Sequence, residues 1–277
     1  MNKVLYVDAI LDKAYKSNTF LGKLKDNFYR KIEGKSYIGD LDTVIYKVKL
    51  APNFNEQAFK RNINKMRKKF NNYNISTMAL NTNRFLDYSF YTEFQKKFLA
   101  YSVVKSIQLL LRTRNKSIRK NNIAVYDSTD IINKYIVLEL SKNSKCLILV
   151  SNNMRKNREL CEHITKEYGV SPIITDDIDY VSKHSDFIIS SKPLECLAEC
   201  PLWCLDNMYV PKAKKDIIVN KVTYTTPWNF DGLEATSELL GGILNNYKEK
   251  EQIDQFLYNN GILIKDAKFE SFKTYNL

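Results

Sequence analysis

From Ile123 onward, short apolar runs alternate with helix-patterned segments at close spacing, and this constrains the fold more than any other feature of the chain. Ile123-Ala124-Val125-Tyr126 reads as a strand, followed by a helix over Ile131–Ser141 with Ser128 as its N-cap candidate. Cys146-Leu147-Ile148-Leu149-Val150 is a continuous apolar run, the type buried on both faces of a parallel sheet. Asn152 or Asn153 can cap the next helix, which ends near Tyr168, where Gly169 suits the C′ position and its positive φ. Strands at 171–175 and 186–190 flank a short helical turn opened by Asp177. Residues 202–205 and 216–224 are strand-like, and helices at 236–247 and 249–258 precede a strand at Ile262-Leu263-Ile264. Such alternation predicts an α/β protein with a doubly wound, mostly parallel sheet.

The front of the chain is less regular. Val4, Leu5 and Val7 suit a short strand, but residues 20–37 mix aromatics with lysine at no clear period. Thr43–Leu50 is β-branched and ends before Pro52, so it reads as a strand. Phe59, Ile63, Met66 and Phe70, at offsets of 4, 3 and 4, form the apolar stripe of a helix. Residues 75–80 read as a strand, and Thr92 with Gln95 makes a capping box for a long helix ending near Thr113. Charge is uneven along the chain. Residues 1–120 hold 25 Lys/Arg against 9 Asp/Glu, and residues 121–277 hold 18 against 22. The expected division is therefore a basic α/β N-terminal lobe, 1–120, and a C-terminal α/β lobe, 121–277.

The segment from Lys145 to Ser191 orders strand, turn, helix, strand, acidic tip, short helix and strand as in a dinucleotide-binding half. At the level of fold it resembles the NAD(P)-binding Rossmann-like domains. In such domains pyrophosphate meets a helix N-terminus after the first turn, and an acid at the next strand's end holds the ribose. The resemblance thus makes Ser151, Asn152, Asn153 and Arg155 of the first turn, Asp176 and Asp177 of the acidic tip, and Ser190 and Ser191 candidate cofactor-binding residues. The glycines depart from the pattern. The chain has eight, none between Gly39 and Gly169, which excludes a Walker P-loop and an intact G-x-G-x-x-G turn. Side chains at 151–154 would obstruct close backbone approach to a pyrophosphate. The expected function is a binding or regulatory protein with a degenerate nucleotide-type crevice, not an active dehydrogenase, and no particular cofactor is expected. An enzyme using a nucleotide-like cofactor in that crevice is the alternative.

Two basic clusters suggest a further role. Lys65, Arg67, Lys68 and Lys69, and Arg112, Arg114, Arg119 and Lys120, have Tyr and Phe nearby, a combination that can bind phosphates and stack bases. They make a nucleic acid or an acidic protein the expected class of partner, in an adaptor reading of the N-terminal lobe. Cys196, Cys200 and Cys204 have a C-x₃-C-x₃-C spacing that would place three thiolates on one helical face. Pro201 interrupts that face and no fourth ligand is evident, so the expectation is buried apolar cysteines without metal. Two histidines, His163 and His184, exclude His-rich metal centres and offer no triad. Five cysteines, an odd number, together with an N-terminus lacking a secretory signal, suggest free thiols and a cytoplasmic protein. The most apolar helix candidate, 98–111, contains Lys105 and falls short of the roughly 20 residues that span a bilayer, so no membrane partner is expected.

Overall fold

A computed structural model describes residues 1–192, 194, 200–206, 211, 218–247 and 252–269. In chain order its first elements are β1 (Asn2–Ala9), α1 (Phe20–Phe28), β2 (Lys31–Ile38), β3 (Thr43–Leu50), α2 (Glu56–Lys69), β4 (Thr77–Asn81) and α3 (Arg84–Asp87). Then come α4 (Glu93–Thr113), β5 (Ile123–Tyr126), α5 (Ile131–Ser141), β6 (Leu147–Val150), α6 (Met154–Tyr168), β7 (Ile173–Thr175), α7 (Ile178–His184) and β8 (Phe187–Ser190). The last are β9 (Leu202–Cys204), β10 (Ile218–Val219), β11 (Lys221–Thr225), α8 (Ser237–Leu244), α9 (Ile253–Asn259) and β12 (Leu263–Lys268).

The described residues form two compact units, one within 1–95 and 223–265 and the other within 96–222 and 266–269. This differs from a division at residue 120. The units part inside α4, and a continuous helix shows no change of composition where its surroundings change. Charge counting therefore placed the limit at the helix's basic end.

In the first unit the strand order is β2-β3-β1-β4. β1 runs parallel to both neighbours, in register Val4↔Ile45 and Val4↔Thr77. Val4, Leu5 and Val7 are buried on its two faces. β2 is an antiparallel edge whose ladder shifts between Ile32 and Gly34, where Gly34 takes φ +141°. α2 starts at Asn55, whose side chain accepts from Ala58 N, and buries Phe59, Ile63 and Met66 as their spacing predicts. Every residue of α8 is buried. It approaches β4 through Gly242, where a Cβ would stand 3.2 Å from Ala79 Cβ, and Thr77 Oγ1 donates to Gly242 O at 2.7 Å. At the end of β4, Thr82 donates from N and Oγ1 to Asp87 at 2.9 and 2.7 Å. Beside it lies a buried ion pair, Arg84 Nε to Glu238 Oε1 at 3.0 Å.

The second unit is Rossmann-like: a parallel sheet of order β10-β9-β8-β5-β6-β7 with helices in its connections. β5, β6, β8 and β9 are buried throughout, as apolar runs covered on two faces should be. Trp203 on β9 is fully buried, and its Nε1 donates to Ser106 Oγ of α4 at 2.8 Å. The expected capping signals are present. Asn153 caps α6, Asp177 caps α7, and Gly169 ends α6 at φ +66°. At the start of α4, Thr92 and Gln95 exchange hydrogen bonds of 3.0 and 3.2 Å. Among the described residues no helix is long and apolar enough to cross a membrane.

Candidate functional site

Counted from β5, the second unit's sheet has the strand order 3-2-1-4-5-6, which reverses between β5 and β8. Ligands of open α/β sheets bind outside the carboxyl ends of the strands at that reversal. The first strand of this pattern is thus β5, one strand and one helix before the first strand of the segment Lys145–Ser191. The first turn is Asp127-Ser128-Thr129-Asp130, and Ser151–Arg155 follows the second strand.

This turn contains no glycine. Asp127 adopts the left-handed region, φ +49°, which aspartate tolerates better than most residues. Asp130, and not Ser128, is the residue before α5, in extended conformation and without a side-chain cap bond. Ser128 points back into the fold and donates to Asn157 Oδ1 at 2.7 Å. Asn157 Nδ2 in turn donates to Leu149 O at 3.0 Å.

Across the reversal, the ends of β5 and β8 are tied to each other. Buried Asn133 of α5 directs Nδ2 at Tyr126 O, Asp127 O and Ser191 Oγ, at 2.7, 3.1 and 2.9 Å. Ser191 Oγ donates to Asp130 Oδ2 at 3.2 Å. Lys192 Nζ lies 3.3 Å from Asp127 Oδ2 and 3.2 Å from Asp130 Oδ2. Burial by itself would lower the Lys192 pKa, but the charges of Asp130 and Asp127 outweigh it and raise the value. The crevice thus holds its own cation between two carboxylates at the N-terminus of α5.

The residues singled out from the sequence share the same edge of the sheet. Ser151 Oγ stands 3.1 Å from Thr129 Oγ1 and accepts from Asn153 N at 3.1 Å. Ser151 N donates to Thr175 O at 3.3 Å, which joins the ends of β6 and β7. Asn153 Oδ1 accepts from Lys156 N at 3.1 Å, and Asp177 Oδ1 from Tyr180 N at 2.9 Å, so both are engaged in capping. Ser190 Oγ donates to Lys192 O at 2.6 Å. Asn152 and Asp176 are exposed, and exposed Arg155 pairs with Glu159 at 3.2 Å. The sequence reading missed Asp127, Asp130, Asn133 and Lys192. Two acids three apart after the first apolar strand, with a lysine just past Ser190-Ser191, were the available signal.

The basic clusters are exposed, but Lys65, Arg67, Lys68 and Lys69 belong to the first unit and Arg112, Arg114, Arg119 and Lys120 to the second. Cys146, which is exposed, and Cys161, which is partly buried, are free thiols. Cys200 and Cys204 are buried in an apolar cluster with Tyr126, Ile188 and Leu202, and Cys196 lies outside the described residues. Among the described residues no three His, Cys, Asp or Glu side chains are placed to hold a metal.

No family model matches the chain, and no curated protein matches it. Solved structures resemble it at the level of fold. The shikimate dehydrogenase of Aquifex aeolicus aligns over 94% of this chain and 93% of its own, at 10% identity and a TM-score of 0.38. The shikimate 5-dehydrogenase of Listeria monocytogenes, solved with shikimate and NAD, aligns over 74% of this chain and 78% of its own, at 7% identity and a TM-score of 0.37. The L-tryptophan dehydrogenase of Nostoc punctiforme aligns over 69% of this chain and 56% of its own, at 10% identity and a TM-score of 0.32.

Proposed function

We infer that the second unit is a binding or regulatory module on the dinucleotide-binding plan whose pyrophosphate seat is closed, and that it is not a dehydrogenase. The observation that carries this reading is Lys192 held between Asp127 and Asp130. A dinucleotide needs bare backbone N–H groups and the positive end of a helix dipole at this turn. Here Asp130 is the residue before α5, with its carboxylate on Ser191 and Lys192, and Asp127 occupies the turn itself. A pyrophosphate would meet two carboxylates and would have to displace their cation.

The neighbouring β6–α6 turn offers a smaller ligand more. Asn152, Asn153, Arg155 and Asp176 can reach a nucleoside or a small anion by side chain alone, without close backbone approach. Arg155 would exchange its exposed partner Glu159 for the ligand, at little cost for a surface ion pair.

Thermal denaturation with added dinucleotide tests the reading. Millimolar NAD or NADP should leave the melting temperature unchanged. Binding to the native state would stabilise it by RT ln(1 + [L]/Kd), so a saturable rise of several degrees would show occupancy. If that rise disappeared in Asn153→Leu or Asp176→Ala, the alternative of an enzyme using a nucleotide-like cofactor would replace this one.

A further inference from the structure

α1 is an amphipathic helix with its polar side turned inward. Phe20, Leu21, Leu24 and Phe28 are 74, 68, 50 and 83% exposed, whereas Gly22 and Asp26 are buried. Projected at about 100° per residue, the four apolar side chains fall within an arc of about 100°. Lys25 borders that arc on one side and Asn27, then Lys23, on the other, with Gly22 and Asp26 opposite. Single exposed apolar residues are ordinary, but a continuous apolar face on one short helix marks an interaction surface.

The orientation is fixed from behind. Thr19 Oγ1 accepts from Gly22 N at 3.3 Å. Asp26 accepts from the Tyr15 hydroxyl and from Asn53 Nδ2, the latter at 3.2 Å, and Arg61 Nη2 stands 3.7 Å from its other oxygen. Burial, and then the bond and charge of Asp26, push the Tyr15 pKa well above its ordinary value, so the hydroxyl remains a donor. At Gly22 a Cβ would lie 2.6 Å from Ser17 Oγ. Rotating α1 to bury its phenylalanines and leucines would break the Asp26 contacts and drive side chains into Ser17. The outward apolar face is built in.

The stretch of chain that carries α1 is rich in lysine. Lys13, Lys16, Lys23, Lys25, Lys31 and Lys35 are all exposed. Between residues 12 and 35 the acids are Asp12, which stands 3.9 Å from Lys13, Asp26, which is buried, and Glu33, which pairs with Lys49 at 2.8 Å. We propose that α1 is an interfacial anchor that lays Phe20, Leu21, Leu24 and Phe28 into the headgroup layer of an anionic membrane, with the surrounding lysines on lipid phosphates. Each of the four side chains is at least half exposed, so they form a ridge and not a pocket, and a ridge suits a deformable lipid layer. Lys23 and Lys25, on either side of the ridge, can lie along it with their ammonium groups at headgroup level. Every cation near an anionic surface adds to the attraction. A nucleic acid would use the lysines and leave the ridge in water. The absence of a spanning segment, on which the expectation of no membrane partner rested, does not bear on a helix that lies in the interface.

Co-sedimentation of the full chain with vesicles tests the proposal, using phosphatidylcholine alone and phosphatidylcholine mixed with phosphatidylglycerol. The protein should bind the anionic vesicles, less so as salt rises, and bind neutral ones weakly. Leu21→Asp with Leu24→Asp, and separately Lys23→Glu with Lys25→Glu, should each weaken binding by about tenfold or more. These side chains are exposed, so both variants should keep the parent's circular dichroism and melting temperature. A Phe28→Trp variant should add blue-shifted emission on anionic vesicles, quenched by brominated lipid. Failure to bind anionic vesicles at low salt overturns the proposal, and lysine variants that bind like the parent overturn the choice of an anionic surface. If the parent is dimeric by analytical ultracentrifugation, Leu24→Asp makes it monomeric and vesicles are ignored, the face covers a second copy and the proposal fails.

Discussion

Asp87 is wholly buried, and burial pushes its carboxyl up to about 6 against the opposing hydrogen bonds from Thr82. The folded protein therefore holds this proton more tightly than the unfolded chain, where the group titrates near ~4. The stability it contributes is complete below about pH 4 and is lost as pH rises through about 6. Relative to Asp87→Asn, the parent's unfolding free energy from urea titration should fall by about 2–3 kcal/mol between pH 4 and 6 and then level off. A constant difference across that range would contradict the assignment. The crevice residues should separate in the same measurement. Asn133 is fully buried and serves three acceptors, so Asn133→Leu leaves polar atoms unsatisfied and should cost about 2–3 kcal/mol. Lys192 and its two carboxylates are each about a third or more exposed, so solvent screens them and Lys192→Met should cost no more than about 1 kcal/mol. The reverse order would mean that the ion pairs, and not Asn133, hold the ends of β5 and β8 together.

The capping box of α4 and the glycine of α8 show how sequence signals become structure at the scale of an element. Thr92→Ala removes one half of a reciprocal pair and should cost about 1 kcal/mol in thermal unfolding. Gly242→Leu should cost about 1–3 kcal/mol, because even a Cβ there is within 3.2 Å of Ala79 Cβ on β4. Elements of this kind were legible: α2 from its stripe, α6 and α7 from Asn153 and Asp177, β6 and β8 from unbroken apolar runs. Their side-chain pattern and their burial agree. α1 and β2 were not legible, because α1 faces its apolar residues outward and β2 is exposed over most of its length. A pattern reports an element only where it reports the core. The candidate crevice was legible in part. The β6–α6 turn and Ser190-Ser191 lie on the expected edge, but the switch point is a property of strand order, which adjacent residues do not encode.

For the whole molecule, a formal net charge of +12 favours encounter with polyanions in general. The clusters Lys65–Lys69 and Arg112–Lys120 lie in different units, so each counts as a basic patch of its own. Binding to random-sequence DNA at physiological salt should therefore stay in the non-specific range, roughly 10⁻⁴ to 10⁻⁶ M by fluorescence anisotropy. Sub-micromolar affinity that is lost when Lys68, Lys69, Arg112 and Arg114 become alanine would restore the adaptor reading. The edge strand of the first unit's sheet bears on a different hazard. An open, flat strand edge is a template on which further chains can polymerise. A second chain arriving at β2 would meet Lys31, Glu33 and Lys35 and a ladder out of register at Gly34. The outer side of β2 thus disfavours the docking of a further strand, while its inner side stays laddered to β3.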